Sequence, residues 1–159
     1  MDHLRTKDGS RWLAKVRGWE LDRFPSEFDS SLEVAAIAVK GGKNRKTGAM
    51  ITVWFTLTNV PILTAMHGEG NEQRGICGDC VLAPIHQRTD DGFDGTCYVN
   101  EAQAPNSIQR ASMRGTTYPP ADDEAWAYIM ASLRRIGGHG DIGCAPRWLA
   151  EKLTGRGDA

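Results

Sequence analysis

Between His67 and Gly95 the sequence shows little hydrophobic periodicity, and Gly, Asp and Cys stand where a core-forming segment would place apolar residues. An irregular stretch of this length is uncommon inside a compact domain unless something other than packing holds it. Within it lies Cys77-Gly78-Asp79-Cys80, two thiols separated by two residues. Two thiolates at that spacing can grip one tetrahedral metal ion, because the turn between them points backbone amides at the sulfurs. Ligand bonds would then replace the missing core.

The chain around this segment has 159 residues, room for one ordinary domain. With 40% hydrophobic and 25% charged residues it has the balance of a soluble globular protein. Its apolar runs fall short of the roughly 20 residues that cross a bilayer. The opening MDHLRTKDGS has charge but no apolar segment of the secretory kind, so a cytoplasmic location is expected. A reducing cytoplasm disfavours structural disulfides and sharpens the metal reading of the cysteines. Nineteen basic against 20 acidic side chains give a net charge of -1, which excludes a global basic field for nucleic acid.

Cys97 supplies a third thiol after sixteen intervening residues. A second CxxC would be usual at that point, but the sequence continues Cys97-Tyr98-Val99-Asn100. The fourth ligand must come from elsewhere: Cys144, His86 or His67, unless the position is open. Zinc with four protein ligands would be structural and would lock residues 67–100. An iron–sulfur cluster suits a cysteine-rich loop equally well, and spacing does not separate the two. A redox dithiol, a disulfide pair and ordinary buried cysteines are the plainer readings; no thioredoxin-like βαβ pattern surrounds the CxxC. His67-Gly68-Glu69 before a CxxC has the flavour of a zinc deaminase, but the seven residues from Glu69 to Cys77 leave no space for the usual intervening elements.

Elsewhere the periodicity is more informative. Arg11–Phe24 reads as a short amphipathic helix with Trp12, Val16 and Trp19 on one face, limited by Pro25. Leu32–Val39 and Ala49–Leu57 are rich in strand-forming residues, and the polar turn GGKNRKTG between them makes a long-looped β-hairpin. Pro61–Met66 fits a short helix capped by Asn59. Pro105–Arg114 fits another. Ala121–Ile136 is the strongest helix, with Asp122, Asp123 and Glu124 at its start, Arg134 and Arg135 at its end, and Trp126, Ile129, Met130, Leu133 and Ile136 as a core stripe. A last helix begins at Pro146 and runs through Leu153. The fold expected is α+β in one domain, 1–159: a helix and β-hairpin over 1–58, a metal-held loop over 67–100, and two to three packed helices over 105–153.

The front of the chain carries a basic cluster, Lys40, Lys43, Arg45 and Lys46. With Arg110 and Arg114 it can form a surface for phosphates or a protein partner, since phosphate contacts need only a local patch. Solvated side chains in a turn and on a helix face are the plainer reading. Trp54, Phe55 and Tyr98 read as core. No Walker loop, G-x-G-x-x-G or G-x-S-x-G occurs.

NRKTG at Asn44–Gly48, CGDC at Cys77–Cys80, CYVN at Cys97–Asn100, RGTTYP at Arg114–Pro119 and GDIGCAP at Gly140–Pro146 follow one another in an order that resembles the phage gene-eighty-eight-like family of mobile-element proteins. That family's function is uncertain. The resemblance spans about residues 43–150. It implies that Cys77, Cys80 and Cys97 are the constant part of the site. It also implies that Cys144 occupies a place normally small and apolar, which favours His86 as fourth ligand. Members of the family continue with further β/α units, so an enzyme dependent on those would be incomplete here. A radical-SAM cluster would need a CxxxCxxC loop and a far larger barrel, and neither is present. The function expected is therefore a non-enzymatic phage or mobile-element binding protein with a cysteine-ligated metal site. It would engage or inhibit a host protein or nucleic-acid-handling complex, such as a host defence complex. An iron–sulfur or zinc enzyme acting on nucleotides or nucleic acid is the alternative.

Overall fold

Alternation at period two builds the sheet that organises this molecule. The computed structural model describes residues 13, 15–41, 48–67, 70, 72–80, 88–89, 92–93, 97, 99 and 103–155. Strands β1 (Gly18–Pro25), β2 (Glu33–Val39) and β3 (Ile51–Leu57) form an antiparallel meander, with Trp19 opposite Ala38 and Ala36 opposite Phe55. One face carries Trp19, Leu21 and Phe24 from β1, Val34, Ala36 and Ala38 from β2, and Ile51, Val53, Phe55 and Leu57 from β3. A bulge between Glu20 and Asp22 resets the alternation, so that Phe24 points the same way as Trp19 and Leu21. On the other face Ala35 and Ile37 pack with Ile108, Trp54 and Tyr118. Both faces of β2 are covered, which is why its sequence is nearly continuous in apolar residues rather than alternating.

Among the described residues there are five α-helices: α1 (Ile62–His67), α2 (Arg74–Cys77), α3 (Ala104–Met113), α4 (Asp123–Ala131) and α5 (Arg147–Thr154). A 3₁₀ turn, Ile142–Cys144, precedes α5. The first sheet face packs on Ala125 and Ile129 of α4, on Cys144 and Ala145, and on Leu149 and Leu153 of α5. α3 covers the second face through Ile108. A two-rung ladder joins β4 (Arg88–Thr89) to β5 (Gly92–Phe93). Among the described residues no helix is long and apolar enough to cross a membrane. The architecture is α+β, and α3, α4 and α5 match the two to three packed helices expected over 105–153.

Two expected helices are differently built. Among the described residues of the first, Leu13 and Lys15 are helical, and the chain is extended from Gly18. The reason is at Gly18 itself: a Cβ there would meet the Ala38 carbonyl oxygen at 2.2 Å, so glycine lets β1 start flush against β2. Trp19 is then buried by strand pairing, and its helix-like spacing from Val16 is incidental. The second departure is the long helix expected over Ala121–Ile136. It stops at Ala131, and Arg134–Ile136 becomes strand β6, paired in parallel with Ile51–Val53. The sheet order is β1-β2-β3-β6, a mixed sheet. Backbone donors and acceptors on the open edge of β3 need partners, and pairing satisfies them where another helical turn would not. The Arg134 guanidinium reaches back to the carbonyls of Ile129 and Ser132 at 3.1 and 3.2 Å, capping the helix it no longer belongs to. Leu133, assigned to the stripe by its spacing, is 77% exposed.

Candidate functional site

The single-turn helix α2 sets the cysteine knuckle. The Cys77 amide donates to the Gln73 carbonyl at 2.9 Å, the Gly78 amide to Arg74 at 2.9 Å, and the Cys80 amide to Cys77 at 3.2 Å. Gly78 has φ +56°, the left-handed conformation that lets the chain double back after one turn. An Arg74–Asp79 ion pair at 3.0 Å spans the knuckle on the solvent side, where such pairs contribute little.

Opposite the knuckle runs the glycine-rich segment that leaves β6, Gly137-Gly138-His139-Gly140-Asp141. It is stitched to β3 and α2 by main-chain bonds. The Gly137 and Gly138 amides donate to the Val53 carbonyl at 3.1 and 2.9 Å, and the Phe55 amide donates to the His139 carbonyl at 3.0 Å. The Asp141 amide then donates to the Ile76 carbonyl at 2.7 Å. Such close contact needs glycine: a Cβ on Gly138 would lie 2.5 Å from Thr52 Cγ2, and one on Gly140 2.9 Å from Phe55 Cβ.

Between these two walls lies a cavity of about 170 Å³. Cys77, Cys80 and Cys97 line it, together with His139, Asp141 and Met66. All four cysteines of the chain are thiols, none joined in a disulfide. Cys80 is exposed and Cys77 and Cys97 are half-buried. Cys144 is 0% exposed and packs into the core beneath, on the 3₁₀ turn, and is not among the described residues lining the cavity. Burial raises its thiol pKa well above the ordinary value, with Asp141 and Cys77 adding in the same direction. Among the described residues no group of three His, Cys, Asp or Glu side chains stands ready to hold a metal ion. The three cysteines share a wall without converging on a point.

His139 had no role in the sequence reading. It is 4% exposed, and among the described residues neither ring nitrogen has a hydrogen-bond partner. Burial pushes its pKa down to about 4; the Phe55 main chain lies near enough to oppose this in part, though not in hydrogen-bonding geometry. The imidazole is therefore neutral at pH 7, and among the described residues both of its nitrogens are unsatisfied. The signal that marks it is the run of glycines on either side, GGHG, which demands close backbone approach and so places the enclosed residue inside. Asp141 is differently occupied: its carboxylate accepts from the Gly143 amide at 2.7 Å and caps the 3₁₀ turn.

The remaining sequence candidates are dispersed. His67 ends α1. His86 lies outside the described residues, as do Lys43, Arg45 and Lys46. The Lys40 ammonium is turned inward. It donates to the Leu13 carbonyl and stands over the rings of Trp19 and Tyr128, 5.1 and 5.3 Å from their centroids. Its partial burial lowers its pKa. Arg110 on α3 and Arg114 just beyond it are exposed, and Arg114 acts with Arg17 on the Tyr118 hydroxyl, whose pKa burial raises and these two cations lower. Comparison with known proteins finds no matching family model, no matching curated protein and no matching solved structure.

Proposed function

We propose that this chain is a non-enzymatic binding protein of the phage or mobile-element kind, in which Cys77, Cys80 and Cys97 hold a metal ion. The observation that supports this reading is the shared cavity: thiols from residues 77, 80 and 97 line the same 170 Å³ space. Thiolates are soft donors that select zinc or iron–sulfur clusters over magnesium or calcium. Metal binding would tie the 67–100 segment to the β3–β6 edge and give it a defined surface. That surface engages or inhibits a host protein or a nucleic-acid-handling complex. Exposed Arg110 and Arg114, with Lys43, Arg45 and Lys46, are the contacts proposed for it; Lys40 is left out because its charge is used internally.

The experiment is metal analysis of protein purified anaerobically, beside Cys77→Ser and Cys97→Ser variants. Stoichiometric metal in the parent, lost in both variants, is the expected result. A brown protein with visible charge-transfer absorbance would identify a cluster, and a colourless one with zinc a mononuclear site. Parent protein without metal sinks the reading. Steady turnover of a nucleotide substrate that Cys77→Ser abolishes would replace it with the enzyme alternative. Binding to a purified nucleic-acid-handling partner should weaken steeply with moderate salt if the arginines meet phosphates.

A further inference from the structure

We infer that His139 is the fourth ligand of a Cys₃His zinc site completed by Cys77, Cys80 and Cys97. The inference rests on the reading of those cysteines as metal ligands, and it assigns the position that sequence spacing left to Cys144, His86 or His67.

Four observations converge on His139. It lines the cavity that the three cysteines line. It is 4% exposed, and among the described residues neither of its ring nitrogens has a hydrogen-bond partner. A buried imidazole without a partner is rare, because folding then removes water from two polar atoms and returns nothing; where it occurs an unseen ion or water is a leading explanation. Its backbone is fixed by the bond from the Phe55 amide to its carbonyl, so the ring is presented from a rigid sheet edge. The rival inside the fold, Cys144, is fully buried among Leu149, Leu153 and their neighbours and is not among the described cavity-lining residues.

The donor set carries a chemical consequence. Three thiolates and one imidazole are a standard tetrahedral zinc set, whereas iron–sulfur clusters usually take four cysteines. Binding requires the thiols to lose their protons to solvent as sulfur–metal bonds form, and the neutral imidazole to donate one nitrogen lone pair. The knuckle, whose Cys80 is exposed, has to close toward His139. With four protein ligands no position is left for water or substrate, which makes the site structural rather than catalytic.

Cobalt titration under anaerobic conditions tests this, followed by competition with zinc. Wild-type protein should give intense tetrahedral ligand-field bands with sulfur-to-cobalt charge transfer. His139→Ala should lower zinc affinity by about 100-fold or more, the upper end of what losing even an outer-shell partner costs. Cys144→Ala should leave spectrum and affinity unchanged. His139→Cys should keep tetrahedral binding with bands moved to the all-sulfur position, and it decides the matter if circular dichroism shows His139→Ala unfolded. Unchanged bands in His139→Cys, unchanged affinity in folded His139→Ala, or loss of binding in folded Cys144→Ala would overturn the assignment of His139. Wild-type protein that binds no cobalt would instead overturn the metal reading beneath it.

Discussion

The Gln109 side-chain amide on α3 donates to the carbonyl of Leu57, the last residue of β3, at 2.8 Å. The same amide donates to the Val60 carbonyl at 2.8 Å, and its oxygen accepts the Ile62 amide at 2.6 Å. One buried glutamine thus ends a strand, closes a turn and satisfies an orphan donor at the first residue of α1. α1 carries Met66 into the wall of the cysteine cavity. The helix that covers the second sheet face is in this way latched to the corner that positions the site.

Gln109→Leu keeps most of the volume and deletes the bonds. It leaves the Leu57 and Val60 carbonyls and the Ile62 amide without this partner in a region where Gln109 itself is 1% exposed. Each unsatisfied buried group costs about 1–3 kcal/mol, so a loss of about 3 kcal/mol in urea unfolding is expected. A loss below about 1 kcal/mol would mean that water replaces the glutamine freely.

How much of this was legible in the sequence depends on what each residue is set against. β2 and β3 were readable because both are dominated by apolar, β-branched or aromatic residues, and a long polar turn separates them. The CxxC was readable because the chemistry of two thiols fixes their spacing. Strand β6 was not: three residues, Arg134–Ile136, are too few to show a period of two, and their neighbours continued a helical pattern. Gln109 was invisible because a buried glutamine on a helix reads like any solvated one. His139 was half-visible, since its glycines announced close packing but not what the ring would face. Cys144 was separated from the other three cysteines only through the resemblance to a family, and the fold separates it by burial.

Gly140 is the residue that turns the chain from His139 into the 3₁₀ turn. It has φ +75°, and a Cβ would meet Phe55 Cβ at 2.9 Å and the Phe55 carbonyl oxygen at 3.1 Å. Gly140→Ala should cost more than about 2 kcal/mol through strain and contact together. Gly155 has φ +71°, but a Cβ there would have no described atom within 4 Å, so Gly155→Ala should cost only about 1 kcal/mol. Equal thermal shifts for the two variants would show that φ alone decides, and that the packing on Phe55 yields.

The apolar stripe expected over α4 makes a second contrast. Ile129 is fully buried against the sheet, and Leu133 is 77% exposed beyond the end of the helix. Ile129→Ala should destabilise by about 2–5 kcal/mol. Leu133→Ala should stay within about 0.5 kcal/mol of the parent. Denaturation midpoints that move together would restore the long helix and remove β6.

Thiol chemistry distinguishes the cysteines without any assumption about metal. The thiolate is the reactive form, and it must also be reachable. Cys80 is exposed, Cys77 and Cys97 are half-buried on the cavity wall, and Cys144 is fully buried with its proton held on by the apolar surroundings. In metal-free native protein a disulfide reagent such as Ellman's should react first with Cys80, then with Cys77 and Cys97. Cys144 should react only at the rate of unfolding, and denaturant should bring it level with the rest. Mass mapping of the modified peptides identifies each step. Reaction of Cys144 alongside Cys80 in native buffer would place the 3₁₀ turn at the surface, and the separation of the cysteines into three and one would no longer stand.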